Sequence, residues 1–209
     1  SFPEWAGYPI GVAWAAIQAT ETDPAVLTGL DIAFASDVPV GAGLSSSAAI
    51  ESAAAVAFND IWKLGLDRDT LAQIGRRAEN EAVGAPTGVM DQMASLWGQP
   101  DEAVFLDCRT LVASLTPLHF ADASLELLVI DTGITHAHAT GGYRERREAC
   151  ERGAAAFGVP ALRDVTIDDL PRAAELLDDV TFRRVRHIVT ENQRVLDTLD
   201  LLQNEGPRA

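Results

Sequence analysis

The stretch Pro39-Val40-Gly41-Ala42-Gly43-Leu44-Ser45-Ser46-Ser47-Ala48-Ala49 decides how this chain is read. Gly41 and Gly43 free the backbone to bend tightly and to come close to a ligand. Three serines follow, and then a small-residue segment, Ala48 to Ala57, that predicts a helix. A glycine-rich turn feeding a helix N-terminus points several backbone N–H groups one way, and the positive end of the helix dipole adds to them. That is a phosphate cradle, with serine hydroxyls available for phosphate oxygens or a metal ion. It is not the Walker pattern, because no Gly-Lys-Ser/Thr ends the loop. The plain alternative is a Ser-rich N-cap on a core helix.

Working outward, Leu30-Asp31-Ile32-Ala33-Phe34 alternates in character and predicts a strand leading into the loop. Residues 5–20 predict a helix, with Pro9 tolerable only near its first turn. Helices are expected over 46–62 and 68–82, broken at Gly65-Leu66-Asp67. Gly75 weakens the second by about 1 kcal/mol relative to Ala. Gly84 to Gly88 predicts a loop, and Met90 to Leu96 the start of another helix. Ala103 to Cys108 predicts a strand, paired with Ser114-Leu115 in a hairpin or meander. Leu125 to Asp131 predicts a strand buried on both faces, because Leu127, Leu128, Val129 and Ile130 run without a polar break. Residues 141–157 predict a charged helix, 164–169 a polar connection and 182–203 a last helix. A domain junction is expected near 118–124, giving domains 1–121 and 122–209.

The chain carries 16 Lys+Arg against 31 Asp+Glu in 209 residues, a net charge of −15. So acidic a chain repels nucleic acid and anionic membrane, which excludes both as partners. It repels a nucleotide too, so a phosphate site here needs local donors and a divalent cation. Cys108 and Cys150 show no metal-ligand spacing and read as reduced, cytoplasmic thiols. No apolar run approaches the roughly 20 residues of a membrane span, and no signal peptide opens the chain. No obligate protein partner is inferred.

Two more segments bear on a phosphate site. Glu79, with Asn80 and Glu81, lies late in the 68–82 helix, and Asp91 lies in Gly88-Val89-Met90-Asp91-Gln92. Phosphoryl transfer needs a holder for the phosphates, a carboxylate and a hydroxyl for Mg²⁺, and a carboxylate to orient the attacking hydroxyl. Each has a plain alternative: Glu79 and Glu81 as solvated helix carboxylates, Asp91 as a charge answering the helix dipole. His136 and His138 have no third ligand spaced nearby and read as a surface or substrate loop. Tyr143 with Arg144, Arg146 and Arg147 reads as a charged helix face or an anion site.

Together these segments resemble the GHMP kinases and, within them, the galactokinases. Asp37 to Ala49 is similar to the family's ATP-phosphate loop. Ala78-Glu79-Asn80, Gly84 and Gly88 to Gln92 are similar to the segment carrying a magnesium-binding glutamate and the catalytic aspartate. Asp131-Thr132-Gly133, His136, Tyr143 and Arg146-Arg147 are similar to the stretch whose tyrosine touches the sugar. The resemblance implies a two-domain α+β fold, a ribosomal-S5-domain-2-like half followed by a ferredoxin-like half, with the active site in the cleft between them. It implies ATP-dependent phosphorylation of the C1 hydroxyl of galactose. Gly41, Gly43, Leu44, Ser45, Ser46 and Ser47 would line the triphosphate, and Ser47 and Glu79 would hold Mg²⁺. Asp91 would face the sugar hydroxyl as the catalytic residue. Gly88 and Tyr143 would contact the sugar.

Thr87 stands where relatives often have cysteine. The family's opening Arg-x-Asn/Gly-x-His-x-Asp type segment, with its arginine and acidic sugar ligand, is absent from these residues, as is its late glycine-rich motif. The chain therefore reads as an internal piece of a galactokinase, incomplete at both ends and of little or no activity by itself. A kinase for arabinose or N-acetylgalactosamine, and a non-catalytic sugar sensor on the same fold, are the alternatives.

Overall fold

The computed structural model describes residues 2–130 and 141–208. Contacts divide the chain into two compact units, Ser1–Ala139 and Thr140–Ala209. The fold is α+β. The first unit runs α1 (Gly7–Thr20), α2 (Ser46–Trp62), α3 (Arg68–Arg77), a π-helical extension (Ala78–Val83), α4 (Met90–Trp97), and the strands β1 (Glu102–Asp107) and β2 (Val112–Pro117).

α1, α2 and α3 pack through small residues. Val12, Ala15 and Ala16 meet Ala54, Ala55 and Phe58, with Leu71, Ile74 and Ala78 closing the cluster. Alanine faces let helix axes come close, so polar groups on those faces are drawn into the interior. Asp67 caps α3 by accepting from the Thr70 N–H at 2.8 Å, and the Thr70 side chain together with this backbone bond holds its carboxyl below the usual range. A second cluster, Ala72, Val89 and Met93, seats α4 against the hairpin through Leu106 and Ala113. The hairpin is antiparallel, with Glu102 opposite Pro117 and Asp107 opposite Val112. Asp107 turns it by accepting from the N–H groups of Arg109 and Thr110.

Two expected strands are corrected. Residues 30–34 and 125–130 form no ladder among the described residues. A strand is a property of a pair, and an apolar pattern alone supplies no partner for its N–H and C=O groups. Leu30 instead lies against the helical core, the Thr28 carbonyl accepts from the Trp62 indole at 3.0 Å, and Phe34 meets Trp5 edge to face. Leu127 and Leu128 are 79% and 78% exposed. Asp131 and the segment through His136 and His138 lie outside the described residues.

The second unit contains α5 (Gly141–Phe157), α6 (Leu170–Leu176) and α7 (Asp179–Asn204). Ala154, Leu162, Val165, Ala173, Val185 and Val189 form its core. Asp178 caps α7 by accepting from the N–H groups of Val180 and Thr181, both at 3.0 Å. Among the described residues, no helix is long and apolar enough to cross a membrane.

Candidate active site

The glycine loop feeds α2 as expected. Gly41 and Gly43 both have φ of 77°, and Ser45, at the N-cap, has φ of 55°. Left-handed residues at every second position curl a chain so that successive N–H groups face one concavity. Ser45 holds this conformation without glycine's freedom, as Glu21 and Lys63 do at the C-caps of α1 and α2. Its side chain makes no capping hydrogen bond to α2, so the first-turn N–H groups carry no side-chain cap. Ser46 and Ser47 are half-buried in that first turn.

One turn beyond Ser47, on the same face of α2, sits Glu51. Its neighbours at helical spacing are Ala48, Ala55 and Phe58, all buried. Glu51 is 0% exposed, Glu79 5% and Gln92 1%. The Gln92 amide donates to Glu51 Oε2 at 2.8 Å and to Glu79 Oε2 at 3.1 Å. The Thr87 hydroxyl donates to the same Glu79 oxygen at 2.6 Å. Asn80 donates to the Arg76 and Thr87 carbonyls at 2.9 and 3.2 Å, tying the π-helical turn to the loop before α4. Three elements thus deliver one buried oxygen cluster: α2 gives Glu51, the π-helix Glu79, and α4 Gln92.

Gly75 is what lets α3 close on this cluster. A Cβ there would stand 3.0 Å from Gln92 Cγ and 3.6 Å from Glu51 Cβ. Gln92 is pinned between two carboxylates and has little room to give. We expect Gly75→Ala to lose about 1 kcal/mol net, an overpacking cost of about 1–3 kcal/mol against a helix-propensity gain of about 1 kcal/mol. Urea unfolding checks this, and a stabilised variant would refute the close fit.

Burial pushes the Glu51 carboxyl up to about 8; its hydrogen bond from Gln92 opposes this, and the charges of Glu79 and Asp91 add to it. The Tyr8 hydroxyl is also pushed up, by burial and then by Glu79, Glu51 and Glu4. Negative charge therefore converges here. The stability that protonated Glu51 lends the fold is full below its ordinary value of 4.5 and is lost as pH rises through about 8. Between those limits the folded state binds more protons than the unfolded. Glu51→Gln is expected to flatten the fall of the urea midpoint between about pH 5 and 8, measured without divalent cations. An unchanged slope would mean that Glu51 is not the group responsible.

Asp91 lies half-buried in the first turn of α4, next to Gln92, and Gly88 is exposed just before that helix. The structure links Glu79 to the Asp91 helix through Gln92, and the Ser47 helix to the same cluster through Glu51. Tyr143 belongs to the second unit, where it is 53% exposed. Among the described residues neither Glu51 nor Glu79 forms an ion pair. Nor do three or more His, Cys, Asp or Glu gather into a metal cage. Mg²⁺ fits such a place, since it takes one or two protein oxygens and completes its shell with phosphates and water. The Ser47 hydroxyl and the Glu79 carboxylate are donors of that hard kind. An open groove of about 330 Å³ along α1, lined by Trp5, Ile10, Ile32 and Phe34, has no charged side chain in its lining and is no place for a phosphate.

Sequence reasoning missed Glu51, Gln92 and the bond from Thr87. The signal for Glu51 was a carboxylate in phase with Ala48, Ala55 and Phe58 on a helix face otherwise fit only for packing.

Residues 8–99, spanning the loop, Glu79 and Asp91, match the GHMP kinases N terminal domain. Nearly the whole chain is similar to galactokinases. It is 48% identical over 207 residues to galactokinase of Streptomyces coelicolor, covering 98% of this chain and 52% of that one. It is 41% identical over 206 residues to galactokinase of Mannheimia succiniciproducens, covering 97% and 52%. The crystal structure of Lactococcus lactis galactokinase complexed with galactose aligns with a TM-score of 0.79 at 25% identity, over 96% of this chain and 52% of that one. The chain spans about half the length of these relatives.

Proposed function

We propose that this chain supplies the phosphate loop, the cation carboxylate and the catalytic aspartate of a galactokinase. The observation that carries the reading is the Gln92 bridge. It places the helix of Asp91 beside Glu79, as a phosphoryl transfer site needs the sugar's carboxylate beside the cation's. The names of the relatives supply the sugar.

In this reading the N–H groups of Gly41 to Ser47 bind the phosphates of ATP, and the Ser46 hydroxyl orients them. Ser47 and Glu79 hold Mg²⁺, which when bound offsets charge on the phosphate oxygens. Asp91 accepts a hydrogen bond from the galactose C1 hydroxyl and aligns its oxygen with the γ-phosphorus. The new C1 O–P bond forms, the bond from the γ-phosphorus to the β–γ bridging oxygen breaks, and ADP departs. The proton of the C1 hydroxyl passes late to the Asp91 carboxylate, because a carboxylate is a weak base towards an alcohol. Gly88, with no side chain, leaves its backbone open to the sugar. The domain 122–209 begins the family's second half in this reading. The unbridged Cys108 and Cys150 suit a cytoplasmic setting.

The test is phosphoryl transfer by the native gene product, with ATP, Mg²⁺ and a panel of galactose, arabinose and N-acetylgalactosamine, the products read by ³¹P NMR. A sugar 1-phosphate from galactose is the expected result. Sugar binding without turnover on any of the three would overturn the kinase reading in favour of a sensor.

A further inference from the structure

We propose that Glu51 is a positioning residue for Glu79, acting through Gln92. Gln92 Nε2 has two protons, and the structure uses both, one on Glu51 Oε2 at 2.8 Å and one on Glu79 Oε2 at 3.1 Å. The amide orientation follows from its neighbours, since only the nitrogen can face two carboxyl oxygens. Glu51 therefore decides where Gln92 points. Gln92 and Thr87 in turn converge on a single Glu79 oxygen, which fixes the carboxyl plane and leaves Oε1 for a cation.

The arrangement is costly as packing. Glu51 Oε1, Gln92 Oε1 and the neighbouring Ser52 Oγ are buried without a hydrogen-bond partner among the described residues. Each such group gives up its water without a hydrogen bond in return. An aliphatic side chain among Ala48, Ala55 and Phe58 would avoid the cost of Glu51. A carboxyl kept there at that cost suits a function better than a core. Its raised protonation value agrees, because a neutral Glu51 still accepts from Gln92 and adds no second charge beside Glu79.

This inference rests on the reading of Glu79 as a cation ligand, so the experiment separates the two. Mn²⁺ is titrated into the native gene product with saturating ADP and followed by EPR, without reference to turnover. Glu51→Met and Gln92→Met keep the volume and lose the hydrogen bonds, and both are expected to weaken Mn²⁺ binding about 10–100-fold, as when an outer partner of a metal ligand is lost. Glu51→Gln keeps an acceptor of the same shape and is expected to bind within about 3-fold of the wild type, by that same logic. A purely structural Glu51 would show no such rescue. Wild-type Mn²⁺ affinity in a folded Glu51→Met or Gln92→Met protein, with Glu79→Ala still weakened, overturns the role of Glu51 alone. Unchanged affinity in Glu79→Ala overturns the ligand reading and this inference with it. Should Glu51→Met fail to fold, Gln92→Met decides by the same criterion.

Discussion

Asp91→Asn in the native gene product is expected to lower kcat by more than the roughly 10²–10⁴-fold of a proton-transfer role alone, because the side chain also aligns the alcohol. Asparagine has the same shape but cannot take the hydroxyl proton. The fold should hardly notice. Asp91 is half-buried in the first turn of α4, and a lost charge at a helix N-terminus costs about 0.3–1 kcal/mol. Steady-state kinetics beside a thermal melt separate the two effects. Near-normal kcat in a folded variant would remove Asp91 from the mechanism.

Gly43→Val should act on the other substrate. Gly43 has φ of +77°, where a β-branched residue is strained by about 1–2 kcal/mol. Its added Cβ would meet nothing within 4 Å among the described residues, so none of them is displaced. The harm falls on whatever the concavity holds. Strain together with one lost charge-assisted hydrogen bond of about 1.5–3 kcal/mol predicts an ATP affinity about 10²–10³-fold weaker. Nucleotide titration by calorimetry checks this. Unaltered ATP binding would mean that the loop is only a helix cap.

Most helices of the fold were legible from residue periodicity and punctuation. Asp67 before 68–82 and the apolar stripe of α7 carry their own local signals. The sequence assigns no helix between 169 and 182, where α6 lies. It has seven residues and begins at Leu170-Pro171, too short for a helical period to register. The strands expected at 30–34 and 125–131 show the opposite failure, a clear pattern without a pairing partner among the described residues. In the proposed site, spacing and motif single out Glu79, Ser47 and Asp91 from the sequence. The Gln92 bridge was not, because it joins positions 51, 79 and 92, which only packing brings together. Gly75, a weakness when read as helix propensity, becomes a requirement once Glu51 and Gln92 stand against it.

The bare run Leu127-Leu128-Val129-Ile130 has a practical consequence. Four adjoining oily side chains, with backbone amides unclaimed by any sheet among the described residues, are a template for stacking one molecule on the next. Purified on their own, these 209 residues should clump as their concentration rises. A lysine placed at Val129 should keep them dispersed.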